Sequence, residues 1–513
     1  MVVTYSKFAT PEPHQVAHNE RCKNIIARSH CFVDTSAMGR GKTYNIFNIA
    51  QTYNFSIGLV APVTVISEWE RVAKEHNVPI IFTIGYQSLR SMTGKQPKHG
   101  FLQRVDHRTE NGAVHTTFEA TDTFRNLVKQ GFLLVFDEIQ NIKNNSDQYK
   151  ACKALAAACL DEGGKTRFAL LSGSPYDKEE HVVNLLRLIG YIRHPNLFTY
   201  YKERAELKLF GAQELIDICR HYDKEGTDYV LATCPYDHKT VPHLCYRLYL
   251  EVVQPLIVSA IPQKPGRGDN KDVKNGYYGM SDPAGRKYIQ AINELGAAAR
   301  YNPDTMMIDR KNANYGAITT ALTHSEESKI EIFERLTRVE LDKVWTENGQ
   351  ICKHKVVVFV NFINTITQLS MSLAEYNPLI MKGDTKQSDR GNIISEFQNN
   401  PERRLLISIT RVGGAGINLD DQVGDMPRFM LISPNYNILD IHQATGRIDR
   451  NNTKSKATIR IVYGKVGSKE TSILNALARK SDVLRQTLAE QVQNGVKFPG
   501  DYMDEIETEI KAN

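Results

Sequence analysis

The stretch from Asp34 to Thr43 constrains the fold of this chain more than any other. It follows the apolar run Cys31-Phe32-Val33 and reads Asp-Thr-Ser-Ala-Met-Gly-Arg-Gly-Lys-Thr. This order predicts a strand, a tight glycine turn and the first turn of a helix. Strands that alternate with helices form parallel sheets, so the stretch indicates an α/β fold.

The same residues have the composition of a phosphate-binding P-loop. Gly39 and Gly41 allow a sharp turn in which backbone amides point at a β-phosphate. The helix that begins at Lys42 adds partial positive charge at its N-terminus. Lys42 adds a full charge, and the Thr43 hydroxyl can ligate Mg²⁺. Ser36 stands where the usual pattern has its first glycine.

The composition of the chain is that of an ordinary soluble protein with several domains. Its 513 residues, 41% of them hydrophobic and 24% charged, predict about two to four domains. No apolar run reaches the roughly 18 residues that span a membrane, and the N-terminus lacks a signal-peptide pattern. We therefore expect no membrane partner and an intracellular location, with nucleus, cytoplasmic viral factory and virion not distinguished. A net charge of +6 permits a nucleic-acid partner.

Four metal-ligand side chains lie close together in one loop-like stretch: Cys234, His238, His243 and Cys245. Their types suit a tetrahedral zinc site, but their spacing fits no common zinc pattern. The alternative, which we favour, is loop histidines beside half-buried thiols. The eight cysteines of the chain are scattered, as expected for reduced thiols.

Two blocks of the chain alternate short β-rich runs with amphipathic helical stretches, the pattern of parallel sheets covered by helices. The expected strands of the first block are Cys31–Asp34, Ser56–Ala61, Ile80–Ile84, Leu133–Phe136 and Phe168–Leu171. Those of the second are Val356–Val360, Leu379–Met381, Leu405–Ile409, Phe429–Ile432 and Thr458–Tyr463. The predicted domains are an ATP-binding lobe (1–195), an inter-lobe helical or irregular module (196–325), a second lobe (326–480) and a helical acidic tail (481–513). Within the module, the polar stretch 263–271 predicts a mobile loop.

An acidic pair follows the apolar strand Phe132–Phe136. Asp137 and Glu138 would lie at the carboxyl end of that strand, where open α/β sheets bind their ligands. Asp137 would hold Mg²⁺ directly or through water, and Glu138 would orient and deprotonate the attacking water. An acidic pair after a strand can also be a helix N-cap, but its position after a P-loop favours the catalytic role.

Two arginines stand three residues apart near the end of the second block. The stretch Gln443 to Asp449 and Arg450 predicts a helix with Arg447 and Arg450 on one face. A permanently charged, bidentate guanidinium suits the charge that spreads over a γ-phosphate during transfer. If these arginines act on a nucleotide held by the first lobe, ATP lies in an inter-lobe cleft and its hydrolysis releases the lobes.

With these motifs in place, residues 11 to 480 resemble a superfamily-two helicase-like ATPase, and within it a Swi/Snf-type DNA translocase. The first lobe carries stretches similar to the family's glutamine motif and motifs I, Ia, Ib, II and III: Pro13-His14-Gln15, Met38–Thr43, Ala61–Trp69, Tyr86–Leu89, Asp137–Asn144 and Leu171–Pro175. The second lobe carries stretches similar to motifs IV, V and VI: Val357–Phe362, Thr410–Leu419 and Gln443–Arg450. Two RecA-like lobes are the fold that this resemblance implies.

The resemblance also implies roles for individual residues. The implied ATP ligands are Gln15, Met38, Gly39, Arg40, Gly41, Lys42 and Thr43, and the implied catalytic set is Lys42, Asp137, Glu138, Gln443, Arg447 and Arg450. Residues implied to contact nucleic acid or couple it to the ATP site are Pro62, Gln140, Ser172, Gly173, Ser174, Thr410, Gly413 and Gly414. Mg²⁺ is the implied cofactor and double-stranded DNA the implied partner. A protein partner is expected for targeting, since little of the chain lies outside the lobes.

Three positions depart from the family pattern. Gln140 replaces the usual histidine, Val360 and Asn361 replace a common Ser-Gln, and an Arg-Arg-Thr-Lys string is absent near Val258. Trp69 is expected in the core rather than as a base-stacking platform.

Three functions remain open at this point. The first is a translocase that tracks double-stranded DNA, and the second is a helicase that separates DNA or RNA strands. The third is a non-catalytic subunit of a transcription complex, which the intact Lys42, Asp137 and Arg450 disfavour.

Overall fold

The computed structural model describes residues 9–93, 96–108, 114–162, 164–264, 271–300, 313–347, 349–413, 417–450, 453–465, 471–493, 497–502 and 506–508. They belong to two compact units. Unit 1 consists of Met1–Pro265 and Val483–Val496, and unit 2 of Gly266–Asp482 and Lys497–Asn513.

Unit 1 is built on a sheet of six parallel strands in the order β6-β1-β5-β4-β2-β3. The strands are β1 (Cys31–Asp34), β2 (Ile57–Ala61), β3 (Ile80–Gly85), β4 (Leu133–Asp137), β5 (Arg167–Leu171) and β6 (Val258–Ser259). All residues of β1, β2 and β4 are buried. Burial on both faces is typical of parallel strands covered by helices and explains their continuous apolar runs.

Nine helices of eight or more residues surround this sheet in the described part of unit 1. They are α1 (Val16–Arg28), α2 (Lys42–Tyr53), α3 (Val63–His76), α4 (Asp122–Gln130), α5 (Asp147–Asp161), α6 (Glu179–Leu188), α7 (Gly211–Tyr222), α8 (Lys224–Thr233) and α9 (Val241–Leu248). Helices α2 and α3 end at Asn54 and Asn77, whose φ angles of 54° and 52° are the left-handed conformation that asparagine tolerates at a helix end. Two longer antiparallel strand pairs also belong to this unit, Leu102–Arg108 with Val114–Ala120 and Phe198–Tyr201 with Glu206–Leu209, together with the short pair Met92–Thr93 and Gln96–Pro97.

Unit 2 contains a seven-stranded parallel sheet in the order β9-β10-β8-β11-β12-β7-β13. Its strands are β7 (Lys271–Tyr278), β8 (Lys355–Val360), β9 (Leu379–Met381), β10 (Leu405–Ile409), β11 (Arg428–Ile432), β12 (Ala457–Gly464) and β13 (Ile506–Thr508). Its longer helices are α10 (Asp282–Ala299), α11 (Tyr315–Glu327), α12 (Ile330–Asp342), α13 (Ile363–Ser372), α14 (Gln387–Asn399), α15 (Ile438–Thr445) and α16 (Thr471–Thr487), the last residues of which belong to unit 1.

The predicted fold class is confirmed, because both units are α/β with parallel sheets and flanking helices. All ten strands expected from sequence are present with bounds that differ by at most one residue at either end. No helix among the described residues is both long and apolar enough to cross a membrane.

Residues 196–325 are divided between the two units. The part before residue 265 contributes α7, α8, α9 and strand β6 to unit 1, whereas β7 and α10 belong to unit 2. Most of the loop expected at 263–271 lies outside the described residues, and its last residue, Lys271, begins β7. The tail expected to be helical contains the end of α16, the short helix Glu490–Gln493 and strand β13, which pairs with β7.

Candidate functional site

The carboxyl edge of the unit 1 sheet brings together the motifs of the first lobe. Strands β1, β2, β4 and β5 run parallel, so the loops that follow them emerge at the same edge. These loops carry the P-loop, Pro62, the acidic pair and the Ser172–Ser174 stretch, respectively. The direct bond from Ser172 N to the Asp34 carbonyl, 3.0 Å, joins the P-loop strand to this stretch.

The P-loop has the backbone that its glycines predict. Gly39 and Gly41 have φ angles of 72° and 102°, a region that glycine enters without a steric penalty. Lys42 begins α2, and its Nζ donates to the Ser36 carbonyl at 2.8 Å. A Cβ built on Gly41 would lie 2.6 Å from Gln15 Nε2, so this glycine also makes room for Gln15.

Gln15 is fixed against the P-loop by both ends of its amide. Nε2 donates to the Arg40 carbonyl at 2.8 Å, and Oε1 accepts from Glu12 N at 2.9 Å. An amide group has two N–H donors and two acceptor lone pairs. These two bonds therefore leave capacity for a purine edge, as the glutamine-motif resemblance requires.

A buried ion pair lies beneath the P-loop. His18 Nε2 is 3.1 Å from Asp34 Oδ2, and both side chains are at most 1% exposed. Although burial alone lowers the pKa of His18, the Asp34 carboxylate raises it to about 10. The Asp34 carboxylate also accepts from Ser36 N at 2.9 Å and from the Ser36 hydroxyl. The ion pair thus anchors the first residue of the loop.

The acidic pair is held by an unexpected partner. Trp69 Nε1 donates to Asp137 Oδ2 at 2.9 Å, and Glu138 N donates to Oδ1 at 2.9 Å. Burial, followed by the neighbouring Glu138 carboxylate, raises the pKa of Asp137 to about 7. Trp69 is 1% exposed, so its predicted position in the core is confirmed, and its ring also packs 5.5 Å from that of Phe47.

The donor set at this edge fits a magnesium ion. Two adjacent carboxylates, one of them buried, favour a cation that offsets their repulsion. Mg²⁺ is usually bound by one or two carboxylates together with substrate phosphates. Asp137 and the Thr43 hydroxyl, at the start of α2, are the side chains that would hold it.

Gln140 forms a hydrogen-bonded relay between the acidic pair and the loop after β5. Gln140 Nε2 donates to Glu138 Oε2 at 2.5 Å, and Ser172 Oγ donates to Gln140 Oε1 at 2.6 Å. Because the Glu138 carboxylate can only accept, Gln140 turns its NH₂ group toward Glu138 and its carbonyl toward the Ser172 hydroxyl. Ser174 N in turn donates to Ser172 Oγ at 3.0 Å. Glutamine at position 140, in place of the family's usual histidine, therefore still links the loop after β4 to the loop after β5. Glu138 itself has a φ of 58°, a left-handed conformation that is uncommon outside glycine.

Two further contacts tie the loop after β5 to its neighbours. A Cβ on Gly173 would lie 3.0 Å from the Ser36 carbonyl, so this glycine allows the loop to touch the P-loop backbone. Lys143 Nζ donates to Asp177 Oδ1 at 2.5 Å in a largely buried ion pair. Ser172 and Ser174 are themselves buried, which suits coupling rather than direct contact with nucleic acid.

In unit 2 the two arginines share one acceptor. Arg447 Nη1 and Arg450 Nη2 donate to the Ile417 carbonyl at 3.3 and 3.0 Å. The prediction that both lie on a helix is wrong, because α15 ends at Thr445 and Gly446 caps it. They still point to a common place, since the turn after the helix directs both guanidinium groups at the loop that follows β10.

The remaining expected residues of unit 2 lie near this loop. Thr410 Oγ1 donates to the Val360 carbonyl at 3.0 Å, and Thr410 and Gly413 form one short helical turn. Gly414 lies outside the described residues. Asn361 is used within the unit: its Nδ2 donates to Glu326 Oε2 at 2.8 Å, and its Oδ1 accepts from Asn435 Nδ2 at 2.6 Å.

The four candidate zinc ligands do not converge. His238 stacks on Tyr200 at 4.2 Å, and His243 Nδ1 is 3.0 Å from Glu179 Oε2. Cys234 and Cys245 are buried. Among the described residues, no group of three or more His, Cys, Asp or Glu side chains is arranged to hold a metal ion.

Comparison with known proteins agrees with this geometry. Residues 314–452 match the helicase conserved C-terminal domain. A putative ATP-dependent RNA helicase (L364) of Acanthamoeba polyphaga mimivirus is 23% identical over 480 residues, which are 91% of this chain and 82% of that protein. The chain therefore carries a helicase C-terminal domain and is similar over most of its length to a helicase, as expected of a helicase-like ATPase.

Two further proteins are similar to parts or most of this chain. The chromatin-remodeling ATPase INO80 of Saccharomyces cerevisiae is 24% identical over 225 residues, 40% of this chain and 14% of that protein. The structure of the Sulfolobus solfataricus SWI2/SNF2 ATPase core in complex with dsDNA is 15% identical and covers 96% of this chain and 95% of that one, with a TM-score of 0.32. That TM-score is too low to establish a shared arrangement.

Sequence reasoning missed the polar role of Trp69 in this helicase-like ATPase. A signal existed, because a buried indole N–H normally finds a hydrogen-bond acceptor. It also missed His18 and Ser36, whose partners Asp34, Ser259 and Ile261 are brought close only by the fold.

We expect Trp69→Phe to raise the Mg²⁺ concentration for half-maximal ATPase activity by roughly three- to tenfold, because Asp137 loses one hydrogen bond. The phenyl ring keeps the packing against Phe47. The measurement is an Mg²⁺ titration of ATPase rate. Trp345→Phe, which changes the other tryptophan of the chain, is the matched control. An unchanged Mg²⁺ requirement in Trp69→Phe would contradict the assigned role.

The relay predicts non-additive effects. Gln140→Leu and Ser172→Ala should each lower the nucleic-acid-stimulated ATPase rate by roughly tenfold and leave ATP affinity nearly unchanged, because each interrupts the same chain of bonds. The double variant should be no slower than the slower single variant. Additive losses, measured in a double-mutant cycle, would show that the two residues act independently.

Proposed function

We propose that this chain is an ATP-driven motor that tracks along double-stranded DNA without necessarily separating its strands, and that it remodels protein–DNA or transcription complexes. The observation that carries the proposal is the meeting of Lys42, the acidic pair and the relay residue Gln140 at one edge of the unit 1 sheet.

In this proposal unit 1 binds and activates ATP. Backbone amides of the P-loop and Lys42 bind the β- and γ-phosphates, and Gln15 binds the adenine edge. Thr43 and Asp137 would hold Mg²⁺, which would supply positive charge that offsets the charge of the phosphates. Glu138 accepts a proton from the attacking water, and the Gln140 bond holds its carboxylate in place for that step.

Unit 2 supplies the positive charge for the transferred phosphoryl group. Arg447 and Arg450 act on ATP held by unit 1, so that hydrolysis requires both units. Gln443, on α15, completes this set. Such an arginine typically accelerates the reaction by ~10³–10⁵. When the products leave, the contact between the arginines and the γ-phosphate is lost, which would let the two units separate and move along the duplex.

Nucleic acid is bound through its phosphates in this proposal. Pro62 immediately precedes α3, and Thr410, Gly413 and Gly414 belong to the stretch that resembles motif V. Phosphate contacts position a duplex without reading its sequence. Affinity should then fall steeply with salt and depend little on base sequence.

We also propose where this protein acts and how it is targeted. An intracellular site of action follows from the predicted reduced cysteines, and a separate protein partner is expected for targeting. The match to a mimivirus protein favours viral transcription as one setting, in which nucleus, viral factory and virion are each compatible.

The alternative is a helicase that separates DNA or RNA strands. The name of the mimivirus relative, a putative ATP-dependent RNA helicase, is the observation that favours it. Three assays with the purified full chain separate the candidates: ATPase stimulation by duplex DNA, triplex displacement, and unwinding of forked DNA and RNA duplexes. Triplex displacement without unwinding supports the translocase, unwinding supports the helicase, and no ATPase activity supports a non-catalytic subunit.

Two substitutions test the roles in unit 1. Lys42→Ala should abolish ATP turnover, since no other side chain replaces its charge at the phosphates. Glu138→Gln should keep ATP binding and block hydrolysis, because an amide cannot accept the proton from water. Equilibrium nucleotide binding and steady-state turnover are measured for both. Hydrolysis by Glu138→Gln at the wild-type rate would show that Glu138 is not the base.

Arg450→Ala tests the role proposed for unit 2. It should lose about 3 kcal/mol or more of transition-state stabilisation, which lowers the rate by at least roughly a hundredfold, with little effect on ATP affinity. Arg450→Lys should not restore the rate, because a point charge cannot reproduce a planar bidentate contact. Arg286→Ala, an exposed arginine on α10 of the same unit, is the control. A normal turnover rate in Arg450→Ala would remove the requirement for both units.

A further inference from the structure

Two segments of unit 1 adjoin the places where the chain passes between the units. The exit segment, residues 254–264, precedes the change of unit after Pro265. The return segment, residues 483–493, lies in the part that rejoins unit 1 at Val483. The exit segment contacts three consecutive residues at the start of the P-loop, Asp34, Thr35 and Ser36, and the return segment is bonded to Thr35.

The exit segment is fastened to the P-loop by backbone and side-chain bonds. Its strand β6 pairs with β1, so that Ser259 lies beside Asp34. Thr35 N donates to the Ser259 carbonyl at 2.9 Å, and Ile261 N donates to Ser36 Oγ at 2.8 Å. His18 bridges the same place, with Nδ1 2.9 Å from Ser259 Oγ. The Ser36–Ile261 bond is available only because serine occupies the position of the first P-loop glycine.

The return segment is fastened through the neighbouring hydroxyl. Ala489 N donates to Thr35 Oγ1 at 3.0 Å, and both groups are buried. Gln254 of the exit segment donates from Nε2 to the Gln486 carbonyl at 2.9 Å and to the Leu488 carbonyl. The two segments are therefore bonded to each other as well as to the P-loop.

Ser36 also faces the phosphate site through its backbone. Its carbonyl accepts from Lys42 Nζ at 2.8 Å, and Gly173 packs against the same carbonyl. A triphosphate in the loop draws the Lys42 ammonium toward its oxygens. Any shift of the Ser36 peptide that follows is passed to Ile261 by the hydroxyl of the same residue.

We propose that Ser36 and Thr35 are positioning residues that transmit occupancy of the P-loop to the exit and return segments through their side-chain hydroxyls. Ser36 acts on the exit segment through the Ile261 amide, and Thr35 acts on the return segment through the Ala489 amide. The Thr35 hydroxyl also donates to the Ser259 carbonyl at 3.4 Å, a carbonyl that already accepts from Thr35 N, so the amide of Ile261 depends on Ser36 for its side-chain acceptor. This inference rests on the proposed function only in requiring that ATP occupies the P-loop. It adds a route from the nucleotide to both chain connections that does not pass through the acidic pair or the arginines.

Hydrogen–deuterium exchange on the full chain tests the two links separately. Exchange is compared with and without Mg·ATP at a concentration that saturates each variant, in the hydrolysis-deficient Glu138→Gln background. In that parent, ATP should change the exchange rate of amides in both segments by roughly three- to tenfold, the effect of about one hydrogen bond. Ser36→Gly should lose the response in the exit segment and keep it in the return segment.

Thr35→Val should show the opposite pattern, with the response lost only in the return segment. Thr35→Ser keeps the hydroxyl and should respond like the parent. Ser36→Ala serves as a second variant if Ser36→Gly unfolds, and thermal unfolding of every variant is measured alongside. Loss of both responses in either single variant would indicate general loosening and would overturn the assignment of one link to each residue.

The remaining outcomes separate this inference from the proposed function. ATP binding without any exchange response in the parent, or with unchanged responses in Ser36→Gly and Thr35→Val, overturns the inference alone. Failure of the parent to bind ATP in equilibrium binding measurements overturns the proposed function as well.

Discussion

The buried ion pair between His18 and Asp34 is the interaction on which the geometry of unit 1 depends. Asp34 ends β1, and through its carboxylate and carbonyl it bonds to α1, the P-loop and the loop after β5. Removal of either partner would leave an uncompensated charge in the interior, a change that typically costs about 3–5 kcal/mol. The phosphate loop therefore starts from a position that the protein defines before any nucleotide binds.

The loops at this edge behave as one bonded assembly rather than as separate motifs. Trp69, on α3, donates a hydrogen bond to Asp137. Two further contacts join the loop after β4 to the loop after β5: Gln140 links Glu138 to Ser172, and Lys143 forms an ion pair with Asp177. In unit 2 the common acceptor Ile417 joins the two arginines to the loop after β10. In each unit the side chains with proposed chemistry are positioned by hydrogen bonds from neighbours outside their own motif, so they are preorganised before any ligand binds.

Much of the fold could be predicted from sequence, because strands buried on both faces leave uninterrupted apolar runs such as Val356–Val360. Strands β6 and β7 escaped prediction: β6 has only two residues, and Lys271–Tyr278 is polar in its first half. The P-loop and the acidic pair could be predicted from sequence because their chemistry requires fixed local spacing. The hydrogen bonds of Trp69, His18 and Ser36 could not be predicted, since their partners lie up to 241 residues away.

The amide at position 140 has a consequence for the range of conditions in which the two loops stay connected. An imidazole exchanges a proton near neutral pH and can reverse donor and acceptor at each nitrogen. A carboxamide has no such equilibrium, and its two ends cannot exchange roles. The donor and acceptor directions of the hydrogen bonds that Gln140 makes between Glu138 and Ser172 are thus unaffected by protonation of residue 140. With a histidine at this position, those directions would change with pH.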